Sequence, residues 1–284
     1  MVHKTFLIAG LILRLESDET IVDSDFFPLF RIEDVAEPDI TVRLYRRSLP
    51  TPEGVEVFCS NHRRRVISEG TAYDFTFFSD AEQLCHIPYA CAFRQDARVI
   101  LYLDYNAAFW DTMVFDALNL SDLFLPQSAV ILHSSFIRHG AFGILFAGQK
   151  QQGKSTQAAL WQSYRNAVVI NGDRAAVRET KEGSFVACGI PFSGTSRICL
   201  NEQTPVRAII FPQKGSVNVV EQLSEIEAFK QLIGCVSYTR EDPKSANLAV
   251  TLTERIAEGN YCYRLICRPD EGAVNVLAAA LHIE

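Results

Sequence analysis

The sequence lacks an excess of positive charge. Its 27 lysine and arginine residues are outnumbered by 34 aspartates and glutamates, for a formal net charge of −7. Because a surface with this balance repels phosphate backbones, we expect no nucleic-acid partner bound by bulk electrostatics. The only basic run is His62-Arg63-Arg64-Arg65. We interpret it as a solvated face between strands, with a binding patch for an acidic peptide as the alternative.

Long apolar segments are also missing. The longest apolar run near the N-terminus, residues 6–13, lies between Lys4 and Arg14 and is too short to span a bilayer. It has no small-residue cleavage site of the kind that ends a signal peptide. We therefore interpret this run as part of a buried β-strand and expect no membrane partner.

No pair of cysteines has the C-x-x-C spacing of a redox or zinc motif, although the chain has eight cysteines. The closest pair, Cys262 and Cys267, falls in a predicted strand, where residues five positions apart point to opposite faces. We expect free, buried thiols in a reducing compartment, and hence a cytoplasmic protein.

What the sequence does contain is typical of a globular protein, with 48% hydrophobic and 21% charged residues among 284. This composition excludes intrinsic disorder, and the length allows one large core or two of moderate size. The first part of the chain contains short strand-like runs, whereas the second part alternates strand-like with helix-like segments. This change predicts a β-rich N-terminal domain over residues 1–105 and an α/β domain over residues 106–284.

Short strands separated by turn-forming clusters predict a small antiparallel sheet in the first domain. These strands are 4–15, 40–45, 55–59, 73–78 and 99–104. In the second domain strands are predicted at 129–134, 142–147, 167–170, 208–211, 217–223 and 261–268, with helices at 107–120, 154–164, 224–234, 246–258 and 271–283. The strands 208–211 and 217–223 resemble a hairpin around Gln213-Lys214-Gly215, and Ser224 with Glu227 forms a capping box.

One segment matches the pattern G-x-x-x-x-G-K-[ST] without a gap. Its residues are Gly148, Gln149, Lys150, Gln151, Gln152, Gly153, Lys154, Ser155 and Thr156. The segment follows a predicted buried strand and opens a predicted helix, which is the setting that a phosphate-binding loop requires. We therefore predict that ATP binds here together with Mg²⁺. The alternative is a glycine-containing turn between strand and helix that binds no nucleotide.

The chemistry of phosphate binding explains this spacing. Backbone N–H groups of the loop form a cradle for anions, and the helix N-terminus adds a partial positive charge. Lys154 would reach the β- and γ-phosphates, and the hydroxyl of Ser155 would ligate Mg²⁺.

Three further residues are candidates for the chemistry. Asp173 follows the next predicted strand, where it could ligate Mg²⁺ or take a proton from an attacking hydroxyl, or simply form an Asn-Gly-Asp turn. Arg174 could stabilise phosphoryl charge, or be an ordinary surface arginine. His133 could be a base, a phosphate contact or a core histidine.

The order of these motifs resembles the HPr kinase/phosphorylase family, which shares its P-loop core with phosphoenolpyruvate carboxykinase. The segments that carry the resemblance are 132–135, 143–148, 153–156, 172–174 and 189–194, within residues 127–240. The resemblance implies an α/β (α+β) fold in which a small β-rich domain precedes the P-loop core. That core would contain a compact, largely antiparallel sheet.

The resemblance also implies roles for individual residues. His133 matches the histidine that precedes the P-loop strand in the family, and Asp173 matches the second acid of the family's acidic pair. The implied activity is ATP-dependent phosphoryl transfer to a hydroxyl, either a serine of a protein or peptide substrate or a small molecule.

Two departures from the family pattern favour a different reading. Lys150-Gln151 stands where the family usually has Ser-Gly, so the loop is expected to be strained or reshaped. Gly172 stands where the family has the first acid, which argues against the bifunctional kinase-plus-phosphorylase activity. The second hypothesis is therefore a degenerate nucleotide-binding protein that serves a partner as a regulatory or accessory module and catalyses little.

Overall fold

The computed structural model describes residues 1–24, 26–33, 37–60, 62–78, 87–95, 98–104 and 109–283. The chain is a mixed α/β protein with several sheets. It divides into two compact units, Met1–Leu123 with Arg240–Pro243 and Phe124–Thr239 with Lys244–Glu284. None of the helices in the described part of the chain combines the length and the apolar character that a membrane crossing needs.

The first unit is built mainly from strands. They are β1 (Val2–Ile8), β2 (Leu11–Ser17), β3 (Ile21–Val22), β4 (Arg31–Ile32), β5 (Ile40–Arg46), β6 (Val55–Cys59), β7 (Arg63–Ser68), β8 (Thr71–Phe77), β9 (Pro88–Gln95), β10 (Arg98–Leu103) and β11 (Phe109–Trp110). The helices α1 (Asp111–Leu118) and α2 (Leu120–Phe124) follow. The large sheet has the order β4-β1-β2-β5-β10-β9-β8-β7-β6, and β3 pairs with β11.

The division between the units lies after Leu123, whereas the sequence pattern predicts a boundary after residue 105. The reason is α1, which packs against β8 and β9 of the first unit. Its Phe115 stacks on Phe27 at 4.6 Å between ring centroids and meets the edge of Phe6. A helix whose apolar face covers this sheet belongs to it, although its sequence texture resembles that of the second unit.

The strands predicted at 40–45, 55–59, 73–78 and 99–104 are confirmed as β5, β6, β8 and β10. The single strand predicted over residues 4–15 is wrong, because the chain reverses at Ala9-Gly10 to pair β1 with β2. Both turn residues have positive φ, 55° and 74°, as a type I′ hairpin turn requires. Ala-Gly is not one of the strong hairpin signals, so the turn was not visible in the sequence.

The basic run is solvated only in part, since the side chains of His62 and Arg64 are 41% and 38% exposed but Arg65 is buried. Arg65 lies in β7 with its side chain only 8% exposed. Its guanidinium is paired with the carboxylates of Asp74, Asp122 and Asp242. Three carboxylates around one buried arginine offset the cost of its desolvation and tie β7 to β8 and α2. This arrangement makes Arg65 a structural residue of the first unit.

The second unit alternates strands and helices. Its strands are β12 (Ala129–His139), β13 (Phe142–Ala147), β14 (Val168–Asn171), β15 (Arg174–Glu179), β16 (Phe185–Gly189), β17 (Gln203–Lys214), β18 (Val219–Gln222), β19 (Val236–Ser237) and β20 (Cys262–Cys267). Its helices are α3 (Lys154–Arg165), α4 (Glu225–Ile233), α5 (Pro243–Glu258) and α6 (Glu271–Ala280). The Ser224–Glu227 capping box predicted before α4 is confirmed.

The sheet of the second unit follows the order β13-β12-β15-β16-β17-β20-β18, and β14 and β19 also pair with β12. It is largely antiparallel, as expected; β13–β17 and β17–β20 are parallel pairs. The predicted hairpin of 208–211 and 217–223 is wrong, because β20 lies between β17 and β18. Gln213 and Lys214, where the turn was expected, are the last residues of β17 and pair with β20. β18 also pairs with β20, the strand reached after α4 and α5.

Helices cover both faces of this sheet. On one face Ala158 and Trp161 of α3 pack with Leu277 of α6, and on the other Leu232 of α4 packs with Leu252 of α5. Cys262 and Cys267 belong to these two different clusters, which confirms that they point to opposite faces. The seven cysteines in the described ranges are free, and all but Cys59 are buried. Cys85 lies outside the described residues.

Candidate functional site

The strand, loop and helix predicted around the G-x-x-x-x-G-K-S segment are all present. β13 ends at Ala147 and α3 begins at Lys154. The connecting loop reverses through positive φ at Gly148 (145°), Gln151 (71°) and Gly153 (94°). Since Gln151 carries a side chain in the left-handed region, the strain expected of the Lys150-Gln151 pair falls on Gln151 and costs about 1–2 kcal/mol.

Side chains of the loop close it on itself. The ammonium of Lys154, a residue only 7% exposed, donates to the carbonyl of Gln149 at 3.0 Å. The side-chain oxygen of Gln152 accepts the backbone N–H of Gln149 at 2.6 Å, and a Cβ on Gly148 would lie 2.1 Å from that oxygen. Lys154 is thus buried beneath a loop that only glycine at position 148 allows. Lys150, Ser155 and Thr156 are exposed.

His133, Asp173 and Arg174 come together because β12 pairs with β15. In that register His133 is the partner of Arg174. Nδ1 of His133 lies 3.5 Å from one carboxylate oxygen of Asp173, and Nε of Arg174 lies 3.4 Å from the other. The three residues predicted to carry the chemistry therefore form one cluster. It is tied to the loop through the N–H of Gly148, which donates to the carbonyl of His133 at 3.4 Å.

The electrostatics join this cluster to Lys154. Burial and the positive charge of Lys154 lower the pKa of His133, and the carboxylate of Asp173 opposes this shift. The imidazole is therefore neutral at neutral pH and has a lone pair that can accept a proton. Burial also lowers the pKa of Lys154, against the favourable charge of Asp173 and a smaller effect of Cys235. Cys235 was not expected at the site, and burial raises the pKa of its thiol.

Asn171 determines where Asp173 stands. It is fully buried, and its side-chain oxygen accepts the backbone N–H groups of Asp173 and Arg174, both at 3.0 Å. Its side-chain nitrogen donates to the carbonyls of Ile190 and Phe192. The sequence indicated only a turn at Asn-Gly-Asp. The hydrogen bonds from Asn171 to the segment 189–194 could not be predicted from the neighbouring residues.

The Gly-x-Pro-x-x-Gly segment 189–194 packs on the acid. Gly194 has a φ of 54°, and a Cβ there would lie 2.6 Å from the carboxyl carbon of Asp173. A Cβ on Gly172 would lie 2.4 Å from the Cβ of Ser196. Ser196 thus fills the space that a side chain at position 172 would need. Position 172 therefore accommodates a glycine, and any side chain there would overlap Ser196.

Replacing Gly172 with Ala is expected to lower the free energy of unfolding by about 1–3 kcal/mol, because the new methyl group overlaps Ser196. The conflict should ease when Ser196 is also changed to Gly. In urea unfolding, the double variant should therefore be more stable than the sum of the two single changes predicts. Strictly additive losses would contradict the steric pairing of these residues.

The donor set for Mg²⁺ is small. In the part of the chain that the structure describes, no three His, Cys, Asp or Glu residues gather as a metal cluster. Mg²⁺ usually takes one or two carboxylates, substrate phosphates and water, so the hydroxyl of Ser155 and the carboxylate of Asp173 fit it together with bound phosphates. Ser155 has a polar neighbour that the sequence did not indicate, since its Oγ lies 3.5 Å from the Oγ of Ser135.

No protein-family model matches this chain, and no curated protein matches it.

Proposed function

We propose that this protein is a cytoplasmic ATP- and Mg²⁺-dependent kinase that transfers the γ-phosphoryl group to a hydroxyl, built on a P-loop core of the HPr kinase/phosphoenolpyruvate carboxykinase type. The observation that carries the proposal is the juxtaposition of two groups of residues. Lys154 lies beneath a glycine loop between strand and helix, and Asp173 lies 3.5 Å from His133 in the same unit. A loop that can hold phosphates beside a carboxylate that can accept a proton supports transfer to a hydroxyl.

Each residue has a defined role in this reaction. The loop amides and Lys154 hold the β- and γ-phosphates, and Ser155 with Asp173 would hold Mg²⁺, which neutralises phosphate charge when it is bound. Asp173 accepts the proton of the acceptor hydroxyl, and His133 orients that carboxylate. The acceptor oxygen forms a bond to the γ-phosphorus while the bond from that phosphorus to the β-phosphate oxygen breaks. ADP leaves, and the proton passes to solvent.

The acceptor is proposed by resemblance. The HPr kinase/phosphorylase family phosphorylates a protein serine, so a serine of a protein or peptide is one acceptor class. A small-molecule hydroxyl is equally compatible with Asp173 and His133, because neither residue selects what carries the hydroxyl. Arg174, half exposed beside Asp173, would stabilise charge on the transferred group in either case.

A second function, a nucleotide-binding regulatory or accessory module with little catalysis, is favoured by two observations. Gln151 occupies a left-handed conformation, and position 172 excludes an acid sterically. A module of this kind needs the cradle but not the proton acceptor. The two functions therefore differ in turnover, and the strained loop offers a way to separate them.

The test is titration of the protein with ATP and Mg²⁺ together with a phosphate-release assay. We expect the natural chain to bind MgATP, and the change of Lys150-Gln151 to Ser-Gly to alter turnover only modestly, because the natural loop already closes around Lys154. Lys150→Ser alone is the matched control, since position 150 does not have a positive φ. A natural chain that binds MgATP without turnover, and that gains about tenfold or more in affinity or hydrolysis with Ser-Gly, would support the module instead. Absence of nucleotide binding by the natural chain would refute both functions.

A further inference from the structure

Two adjacent serines of β12, Ser134 and Ser135, are both fully buried but have different surroundings. Alternation along the strand places Ser135 on the face of His133 and Ile137, and Ser134 on the face of Leu132 and Phe136. The hydroxyl of Ser134 reaches only the carbonyl of Leu132 in its own strand, at 3.4 Å. The hydroxyl of Ser135 instead faces Ser155, at the end of the loop 148–156.

The contacts of Ser135 form a chain of three groups. Its Oγ donates to the carbonyl of Gly172 at 2.9 Å and lies 3.5 Å from the Oγ of Ser155. A serine hydroxyl has one proton and two lone pairs. Since the proton of Ser135 is directed to Gly172, a lone pair remains for the proton of Ser155. Ser155, which is exposed at the start of α3, would then direct its own lone pairs toward the loop.

Position 172 explains why a serine is needed at this point. A side chain there would overlap Ser196, so no carboxylate can approach Ser155 from that residue. The backbone carbonyl of Gly172 remains, and Ser135 lies between that carbonyl and Ser155. The link between Ser155 and residue 172 thus runs through the hydroxyl of Ser135 to a backbone carbonyl, and no side chain of residue 172 takes part.

We infer that Ser135 is a positioning residue which orients the hydroxyl of Ser155 as a ligand for Mg²⁺. The inference rests on the proposed function, because it assigns a role toward the metal that accompanies ATP. Groups that orient a metal ligand in this way commonly contribute about 10- to 100-fold to metal affinity. A neutral hydroxyl belongs near the lower end of that range, because it adds no charge to the ligand that it orients.

The experiment measures ADP binding by calorimetry at a series of Mg²⁺ concentrations and in the presence of EDTA. In Ser135→Ala we expect the Mg²⁺ concentration for half-maximal enhancement of binding to rise about tenfold, while ADP affinity in EDTA stays close to that of the natural chain. Ser134→Ala, which removes a neighbouring buried hydroxyl on the other face, should change neither value. In a Ser155→Ala background, Ser135→Ala should have no further effect on Mg²⁺ dependence, because Ser135 acts through Ser155.

The possible results separate the inference from the proposed function. An unchanged Mg²⁺ dependence in Ser135→Ala, an equal loss with and without Mg²⁺, or an additive effect in the Ser155→Ala background would overturn the role of Ser135 while leaving nucleotide binding intact. If the natural chain bound no ADP under any condition, the proposed function would fail, and this inference with it. Thermal unfolding of each variant reports any loss of fold separately from the metal dependence.

Discussion

Replacing Lys154 with Ala should reduce the affinity for MgATP by about 100-fold or more. An ammonium group close to phosphate oxygens near a protein surface contributes about 4 kcal/mol of attraction, and each 1.4 kcal/mol corresponds to about tenfold in affinity. Part of this attraction offsets the cost of burying the charge, which is visible in the lowered pKa of Lys154. The change also removes the bond from Lys154 to the carbonyl of Gln149, which holds the loop closed.

Lys150 supplies the matched control for this prediction. It is a lysine of the same loop, but it is exposed, so Lys150→Ala removes an equal charge from outside the cradle. Isothermal titration of both variants with MgATP should show a large loss for Lys154→Ala and a small one for Lys150→Ala. Equal losses in the two variants would mean that the loop attracts phosphate by its overall charge, and the cradle geometry would have to be abandoned.

Replacing Asp173 with Asn should lower the rate of phosphoryl transfer by about 10²–10⁴-fold and leave nucleotide affinity largely unchanged. An amide has the shape of the carboxylate but accepts no proton and is a weaker ligand for Mg²⁺. Both losses fall mainly on the transition state, because the loop amides and Lys154 supply much of the ground-state affinity for the nucleotide. The fold should be preserved, because the turn is held through backbone groups. The N–H of Asp173 is bonded to Asn171, and its carbonyl accepts the N–H of Ser134 at 2.9 Å.

The same variant has a second readout at His133. The carboxylate of Asp173 raises the pKa of this histidine against the effects of burial and Lys154. Removing the negative charge should therefore lower the pKa of His133 further, which NMR titration of the imidazole would detect. Glu182→Gln, at an exposed turn, is the control that should alter neither transfer nor the His133 titration. If Asp173→Asn retained full transfer activity, the proton acceptor would have to be another residue.

Patterns confined to neighbouring residues were sufficient for much of the second unit. The glycines and Lys154 of the loop specify a strand-to-helix turn because their spacing satisfies the backbone geometry locally. The capping box of Ser224 and Glu227 specifies the start of α4 for the same reason. In the first unit, four of the five predicted strands were confirmed. The fifth is in fact a hairpin of two strands. It was missed because its turn, Ala9-Gly10, lacks the residue types that usually mark such turns.

Pairings between distant segments could not be predicted from patterns of neighbouring residues. The insertion of β20 between β17 and β18 depends on which strands lie side by side after the helices have packed, and a local turn signal contains no such information. Arg65 belongs to a basic run in the sequence, yet Asp74, Asp122 and Asp242 enclose it. A charged residue is buried only when distant partners satisfy it, so its burial was not predictable from its neighbours.

The sequence alone determined which residues are candidates at the site: the loop 148–156, His133, Asp173 and Arg174. The loop matches a local pattern expected of phosphate binding, and the other three residues were singled out by their order along the chain and by the family resemblance. Only the tertiary structure decided which residues support them. Asn171 and Gly194 place Asp173, Ser196 excludes a side chain at position 172, and Ser135 lies beside Ser155. These contacts join segments tens of residues apart, and they exist because the register between β12, β14 and β15 brings those segments to the same end of one sheet.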